Sequence, residues 1–413
     1  MTRILGADAL SCFQVYDPET LRSMRRAKWA LEGERYGAAI AEMDFVPAAP
    51  ISSAIIGAVQ SGDIGYHYPK ALDAASEALK FWLENRYAWT VDSADVVPVG
   101  GVLRALEACL LFFMSSKKPV IVPTPAYSPF LSVPRALGLQ VVESPMNSHE
   151  GRWTLDLTDI DRAFARGAGL LILCNPHNPT GTVFSRGELL ALAELVESHG
   201  GRVFSDEIHA PLAYSESIDG RPMPPHIPYA TVSAAATAHA LTGISITKGW
   251  NVGGIHCAHL IVSERDRPAA KRLYTMLAHS ASTPGLWATA AAYNHGETWL
   301  NEMLAYLNLN RVLLADLVEE YLPGVNFHVP DASYLAWLDF RGTWWADRPA
   351  LHAKKRARVA TIEGTDFGSV GTGFLRLNFA TPRPVLRQIF EELGAAFSPA
   401  TQAASGPIGI RNS

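Results

Sequence analysis

Three chemically different side chains stand at or just beyond the ends of apolar runs between positions 170 and 248. Asn178 follows the run LLILC, Asp206 ends the run RVFS, and Lys248 follows the run GISIT. An amine placed in this way can form a Schiff base with an aldehyde and later move protons. A carboxylate and an amide beside it suit an aldehyde cofactor that stores electrons. These residues predict a pyridoxal phosphate (PLP) site with Lys248 as its anchor.

Each of the three residues also has a simpler interpretation. Lys248 could be a surface lysine, and Asp206 could pair with a neighbour, with Glu207 competing for any role. Asn178 lies in NPHNPTG, where Asn-Pro and Thr-Gly favour a turn. In the functional interpretation, Asp206 keeps the pyridine nitrogen protonated by a charge-assisted hydrogen bond. Asn178 then donates to the phenolate oxygen of the cofactor.

Further residues could complete the site. The glycine turn that ends at Gly101, followed by Val102, opens a predicted helix, and free N–H groups at a helix start suit a phosphate. Hydroxyls one and three positions before the lysine, at Thr247 and Ser245, could hold the same phosphate. Tyr127 follows a predicted strand, where it could belong to the core or stack on a pyridine ring.

The bulk composition excludes several classes of protein. The 413 residues carry a net charge of −5, with 48% hydrophobic and 18% charged residues, so no basic surface for nucleic acid or anionic membrane is expected. No uninterrupted apolar run is long enough to span a bilayer, and the N-terminus is a poor signal peptide. Four scattered cysteines form no CxxC pair and no metal-ligand spacing, which predicts reduced thiols in a cytoplasmic protein.

The pattern of apolar runs predicts an α/β fold with two domains. From Val96 onward, short apolar strands alternate with helices, which indicates a largely parallel sheet buried on both faces. Ligands bind beyond the carboxyl ends of such strands. After about Ser280 the pattern changes to a long helix and alternating strands, typical of a smaller α+β domain. We expect an N-terminal segment 1–45 packed on the small domain, a large domain 46–280, a small domain 281–397 and a disordered tail 398–413.

The N-terminal segment contains a helix start. Asp17 can cap a helix that has Pro18 at its first position. The following Arg25, Arg26 and Lys28 are expected to form the solvated face of that helix.

Together the motifs identify the chain as similar to the fold-type I PLP enzymes, the aspartate aminotransferase superfamily. The resemblance covers roughly residues 36–397 and is carried by NPHNPTG, an aspartate 28 positions after its second asparagine, and SITK. The chain most resembles the cystathionine β-lyase, or C–S lyase, branch, because it contains EMDF, SDEIH, YLAWLDFR and GFLRLNFATPR.

The resemblance implies a three-layer PLP-transferase fold and a role for each matching residue. Lys248 would be the Schiff-base lysine and Asp206 the partner of the ring nitrogen. Arg376 would bind the substrate carboxylate next to Asn178, and His209 stands where aminotransferases usually have a tyrosine, which favours the lyase branch. The remaining cofactor ligands would be Gly101, Val102, Tyr127, Ser245, Thr247 and, from the other subunit of a homodimer with shared active sites, Tyr66.

The implied activity is α,β-elimination on an S-substituted L-cysteine, such as cystathionine or a cysteine S-conjugate, giving thiol, pyruvate and ammonia. The alternatives are an aminotransferase and a specialised biosynthetic relative of the lincosamide type, acting by elimination or by decarboxylation coupled to oxidative deamination. A PLP-binding regulator is disfavoured because only about 35 residues precede the resemblance. The substrate stays open because the chain departs from the branch pattern at Glu42, Arg104, Gly249, Trp250 and His256.

Overall fold

A computed structural model describes residues 13, 16–66, 69–114, 117–216 and 223–398, so the predicted disordered tail lies outside the described residues except for Ser398. The helices are α1 Pro18–Ser23, α2 Ala49–Gln60, α3 Pro69–Tyr87, α4 Val102–Ala108, α5 Ser128–Ala136, α6 Leu157–Ala165, α7 Arg186–Ser198, α8 Ala234–His239, α9 Arg267–Ala278, α10 Thr283–His295, α11 Glu297–Tyr321, α12 Pro349–His352 and α13 Arg383–Phe397. The strands are β1 Tyr36–Gly37, β2 Val96–Val99, β3 Val120–Thr124, β4 Val141–Pro145, β5 Asn147–His149, β6 Arg152–Thr154, β7 Leu170–Cys174, β8 Arg202–Asp206, β9 Ala240–Ile244, β10 Ala258–Ile261, β11 Asn326–Phe327, β12 Leu335–Asp339, β13 Val359–Ala360, β14 Ile362–Glu363 and β15 Phe374–Asn378.

The central sheet has seven strands in the order β2-β10-β9-β8-β7-β3-β4. Strand β10 runs antiparallel to both of its neighbours, and the pairs from β9 to β4 are parallel. Successive side chains of β7 enter different cores, with Leu171 and Leu173 in one and Leu170 and Ile172 in the other. Both faces are therefore covered, and the predicted α/β fold with a mainly parallel sheet is confirmed.

The sheet register brings three strand ends to one edge. Cys174 at the end of β7 pairs with Asp206 at the end of β8, and Asp206 pairs with Gly243 in β9. The segments that leave these ends carry Asn178 and Lys248. The parallel pairing therefore places the predicted cofactor residues on the same side of the sheet.

A second, antiparallel sheet has the order β11-β12-β15-β14, with α11 and α13 packed beside each other. Helix α10 lies beyond the predicted boundary at 280, yet it contacts α2 and α3. Trp287 in α10 donates to a carboxylate oxygen of Asp63 (2.7 Å), and Thr283 donates to the Gly65 carbonyl (2.8 Å). The domain boundaries stay a prediction.

The N-terminal helix begins as predicted but ends early. Asp17 accepts a hydrogen bond from the Thr20 N–H (2.7 Å), and α1 stops at Ser23. Arg25 then adopts a left-handed backbone conformation (φ 53°), which turns the chain. The expected solvated basic face is wrong for Lys28, whose side chain is buried against an acidic partner instead.

Three cysteines of the described residues, Cys109, Cys174 and Cys257, are buried and free. In the same part of the chain, no helix has the length and apolar character needed to cross a bilayer. Nor do three or more histidine, cysteine, aspartate or glutamate side chains gather there in a metal-binding arrangement.

Candidate active site

Asp206 presents one open carboxylate oxygen at the edge of the sheet. Its side chain is buried, and Oδ1 accepts a hydrogen bond from the Ile208 N–H (3.0 Å). Within the described residues, Oδ2 has no hydrogen-bond partner. Burial raises the pKa of Asp206 to about 7, although the Ile208 N–H and the Lys248 charge oppose the shift. A cationic ring nitrogen at Oδ2 would favour the ionised carboxylate, so this residue fits the pyridine end of PLP.

The neighbouring acid, Glu207, is engaged elsewhere. Its buried carboxylate accepts hydrogen bonds from the Ser205 hydroxyl (2.9 Å) and the Tyr229 N–H (2.9 Å). The same carboxylate pairs with Nε2 of His226 (3.0 Å). Glu207 is therefore satisfied on both oxygens and does not compete with Asp206.

Arg376 and Asn178 are in direct contact. The arginine lies within β15, and its Nη1 donates to Oδ1 of Asn178 (3.1 Å) while Nη2 donates to the Ala39 carbonyl (2.8 Å). Burial lowers the pKa of Arg376 to about 10, which keeps it cationic at neutral pH. Because the amide oxygen of Asn178 faces the arginine, its NH₂ group is left to donate elsewhere, as a phenolate partner would require.

Lys248 has a depressed pKa. Its Nζ donates to the Ala41 carbonyl (2.8 Å), which also accepts from the Tyr334 hydroxyl (3.0 Å). Burial and the nearby Arg376 charge lower the pKa of Lys248 to about 8, whereas the carboxylates of Glu42 and Asp206 oppose this shift. More of this amine is therefore neutral near physiological pH than in an ordinary lysine.

A short segment, residues 39–42, supplies the carbonyls that hold both cations. Ala39 and Ala41 accept from the two cations. The carbonyls that alternate with them, those of Ile40 and Glu42, accept instead from Nδ2 of Asn378 (2.6 and 2.7 Å). Sequence reasoning missed this role, since backbone carbonyls have no residue-type signature. The resemblance of EMDF to the lyase branch pointed to the region but not to its contacts.

A buried ion pair holds Asp44, two residues after this segment. Lys28 Nζ donates to Oδ2 of Asp44 (2.8 Å) and to the Ala380 carbonyl (3.2 Å), and Trp29 Nε1 donates to Oδ1 of the same carboxylate (2.7 Å). Burial lowers the pKa of Lys28, and Asp44 opposes that shift. The N-terminal segment is thereby joined to Ala380, just after β15, the strand that contains Arg376.

Two rings flank the site. Tyr127 immediately precedes α5 and is partly buried, and burial raises the pKa of its phenol. His209 is buried, and burial together with the Lys248 and Arg376 charges lowers its pKa to about 3, so the imidazole is neutral. Within the described residues its Nδ1 has no hydrogen-bond partner. A neutral imidazole with an open nitrogen suits a place beside a polar cofactor atom.

The predicted phosphate residues lie at the start of α4 and before Lys248. Gly101 is the N-cap residue of α4 without a side-chain cap, and a Cβ built there meets no atom within 4 Å. The buried Val102 begins the helix. Ser245 donates to the Cys257 carbonyl (2.8 Å) and accepts from the Thr247 N–H (3.3 Å). Among the described residues, the first N–H groups of α4 have no backbone acceptor, whereas the Ser245 hydroxyl donates to the Cys257 carbonyl.

Tyr66 stands apart from the other predicted residues. Its side chain is 94% exposed, and its ring centroid lies 6.2 Å from that of His279. No hydrogen bond joins Tyr66 to another predicted site residue in the described ranges. Its reach into a second subunit stays a prediction.

The unusual pair after Lys248 belongs to the core. A Cβ at Gly249 would lie 3.1 Å from Cβ of Pro211. Trp250 is fully buried, and its Nε1 donates to the Gly296 carbonyl (2.9 Å). A Cβ at Gly296 would lie only 2.5 Å from that indole nitrogen. Gly249 and Trp250 are therefore packed into the core next to the lysine.

Two other departures are exposed. Arg104 pairs with Glu107 on the surface of α4. His256 is exposed, and its carbonyl accepts from the Ser282 N–H (2.7 Å). Neither side chain contacts a predicted catalytic residue in the described structure.

Comparison with known proteins supports the family to which the sequence motifs pointed. The model of the aminotransferase class I and II family matches residues 29–393. Cystathionine β-lyase of Corynebacterium glutamicum is 34% identical over 90% of this chain and 96% of that protein. A crystal structure assigned as a PLP-dependent β-cystathionase from Corynebacterium diphtheriae superposes with a TM-score of 0.86, at 34% identity over 93% of this chain and 99% of that one.

A solved PLP-bound C–S lyase from Staphylococcus hominis gives a TM-score of 0.80, at 27% identity over 87% of this chain and 91% of that one. The resemblance stated from the sequence motifs is confirmed by these matches and by the family model. The chain belongs to the aminotransferase class I and II family of fold-type I enzymes.

Proposed function

We propose that this chain is a PLP-dependent C–S β-lyase that cleaves S-substituted L-cysteines to thiol, pyruvate and ammonia. The observation that carries the proposal is the direct hydrogen bond from Arg376 to Asn178, near enough to a buried Asp206 and to Lys248 for the Arg376 and Asp206 charges to act on the lysine. The relatives named as cystathionine β-lyases and the PLP-bound C–S lyase support the same activity.

The side chains of the site fit the polar atoms and the ring of the cofactor. Asp206 would accept from the ring nitrogen, Asn178 would donate to the phenolate oxygen, and Tyr127 would cover the ring. The phosphate would lie at the start of α4, near Gly101, Val102, Ser245 and Thr247. When bound, PLP supplies an electron sink next to the substrate Cα.

The protein's own groups then perform the binding and proton transfer. Arg376 pairs with the substrate α-carboxylate, and its contacts with Asn178 and Ala39 fix the plane of the guanidinium. Lys248, with a pKa near 8, takes the proton from Cα as a general base. Loss of that proton allows the bond from the β-carbon to sulfur to break, and the thiolate leaves. The released three-carbon fragment takes up water and yields pyruvate and ammonia.

The proposal includes a cytoplasmic homodimer in which Tyr66 reaches the partner's phosphate. Its almost complete exposure leaves this phenol free to contact another subunit. The buried free thiols of Cys109, Cys174 and Cys257 suit a reducing compartment.

The test is an assay of the purified protein with PLP and three substrates: cystathionine, a cysteine S-conjugate, and an amino acid with a keto-acid acceptor. We expect thiol and pyruvate from the first two. Amine transfer that depends on the keto acid, without release of thiol, would identify an aminotransferase instead.

Lys248→Ala tests the anchor. We expect it to lose both turnover and the yellow colour of covalently bound cofactor. The exposed Lys355→Ala is the matched control and should retain both. If the Lys248 variant still forms the coloured Schiff base, the cofactor assignment is wrong.

A further inference from the structure

The Ala41 carbonyl accepts two hydrogen bonds from different parts of the chain. Lys248 Nζ donates to it at 2.8 Å, and the Tyr334 hydroxyl donates to it at 3.0 Å. A backbone carbonyl oxygen has two lone pairs, so these two donors use its full capacity. The lysine amine is therefore held by a carbonyl that has no second lone pair to offer it.

The Tyr334 phenol is buried and stays protonated. The residue immediately precedes β12, and its own carbonyl accepts from the Phe379 N–H (3.0 Å), so its backbone is held as well. Burial raises the pKa of the phenol, and the Arg376 charge opposes that rise without cancelling it. The hydroxyl is therefore a hydrogen-bond donor throughout the neutral pH range.

Other charged or titratable groups also lie around the lysine: Arg376, Glu42, Asp206 and His209. Burial lowers the pKa of Lys248, the guanidinium adds to this effect, and the two carboxylates oppose it. The imidazole is neutral, and its ring centroid lies 6.2 Å from that of Tyr334. Within the described residues, none of these four side chains donates to the Ala41 carbonyl. Tyr334 is thus the neighbour that acts on the acceptor of the lysine itself.

We propose that Tyr334 is a positioning residue for Lys248, which orients the amine and limits the stabilisation of its charged form by sharing the Ala41 carbonyl with it. The inference rests on the proposed function, in which this amine takes the proton from Cα of the substrate. An N–H donated to a fixed carbonyl gives the lone pair of the neutral amine a definite direction. Because the hydroxyl occupies one lone pair of the carbonyl, the ammonium form gains less from the other.

The first test measures the lysine amine directly, in the whole protein free of cofactor. Tyr334→Phe removes one hydroxyl and keeps the ring. The Ala41 carbonyl retains Lys248 as a donor, so this buried acceptor keeps a partner and the fold should persist. Competitive labelling with acetic anhydride, followed by mass spectrometry of the Lys248 peptide, gives the pKa of this amine. We expect that pKa to rise by roughly 0.5 to 1 in the variant.

Tyr214→Phe is the matched control. Tyr214 is also buried, and its hydroxyl donates to the carbonyl of Ser333 (2.6 Å), the residue before Tyr334. This variant loses the same atom and the same kind of hydrogen bond, but away from the lysine, so the pKa of Lys248 should stay as in the wild type. An unchanged or lower pKa in Tyr334→Phe, or an equal rise in both variants, would overturn the inference.

The second test follows turnover of cystathionine by the PLP-loaded enzyme. We expect kcat of Tyr334→Phe to fall about 3- to 10-fold with KM unchanged, and the acid limb of its pH profile to move to higher pH. Tyr214→Phe should keep the profile of the wild type. A profile that does not move in Tyr334→Phe would mean a structural role only and would overturn the inference.

Failure of the proposed function has a separate signature. If the wild-type enzyme releases neither thiol nor pyruvate from cystathionine or a cysteine S-conjugate, the lyase function itself fails. The labelling experiment needs no turnover and still decides whether Tyr334 acts on the Lys248 amine.

Discussion

The two walls of the candidate site are built in different ways. The cofactor wall, which holds Asn178, Asp206 and Lys248, follows the ends of β7, β8 and β9, and the register of a parallel sheet fixes it. The substrate wall consists of Arg376 and residues 39–44, and side-chain contacts between distant parts of the chain hold it together. Changes in the first wall should therefore impair chemistry, whereas changes in the second should impair binding or stability.

The largest expected effect is a loss of stability when the ion pair that holds the substrate wall is broken. Lys28→Met leaves the buried Asp44 without its cation, and we expect the free energy of unfolding to fall by about 3–5 kcal/mol. Urea denaturation measures this change. The exposed pair of Arg35 and Glu392 provides the control, since Arg35→Met should cost less than about 1 kcal/mol. Equal costs for both variants would mean that the buried pair does not fix this wall.

Removal of the carboxylate from the cofactor wall should impair chemistry. Asp206→Asn cannot hold a protonated ring nitrogen by charge, so we expect kcat to fall by about 10²- to 10³-fold. Steady-state thiol release measures it. Glu207→Gln should instead lower stability, because Glu207 is bound by Ser205, Tyr229 and His226. The reverse order of the two effects on kcat would contradict the assignment of the ring partner.

Arg376→Lys should affect substrate binding and leave cofactor binding intact. A lysine cannot form the planar double hydrogen bond to a carboxylate, so we expect kcat/KM to fall roughly 10- to 100-fold. The visible spectrum of the bound cofactor should not change. Arg341→Lys is the control for the general loss of an arginine, since Arg341 is exposed and pairs with Asp339 away from the site residues. A changed spectrum in Arg376→Lys would place this arginine in the cofactor wall.

The last expected effect concerns pH, in protein stripped of cofactor. Burial raises the pKa of Asp206 from 3.8 to about 7, so between these values the folded state holds a proton that the unfolded state has lost. Stability from this group therefore falls as pH rises. Burial lowers the pKa of His209 from 6.5 to about 3, so the unfolded state holds the extra proton and stability rises with pH.

Urea denaturation between about pH 4 and 6.5 separates the two groups. The stability of Asp206→Asn relative to the wild type should increase with pH by up to about 1.4 kcal/mol per pH unit. That of His209→Asn should decrease by a similar amount. Two flat differences would show that neither pKa is shifted. Rebinding of PLP should flatten the Asp206 difference alone, because a cationic ring nitrogen favours the ionised carboxylate.

The sequence predicted the cofactor wall better than the substrate wall, for a physical reason. Asp206 and Lys248 each stand at or just beyond the end of a buried run, and a parallel sheet brings such ends together without further information. Burial of Lys28 depends instead on Asp44, which no local pattern connects to it, so Lys28 was wrongly expected to face solvent. The roles of Ala39 and Ala41 belong to their carbonyls and could not be predicted from residue type.

The alternating carbonyls of residues 39–42 also limit how the site can be rebuilt in a chimera. Grafting this segment from a relative would transplant the partners of Arg376 and Lys248, but its other two carbonyls would still require the amide of Asn378 from β15. A single-residue insertion would exchange the two sets, so that Asn378 would meet the carbonyls that now serve the cations. Loop exchange in this protein must therefore conserve length as strictly as residue type and must carry position 378 with it.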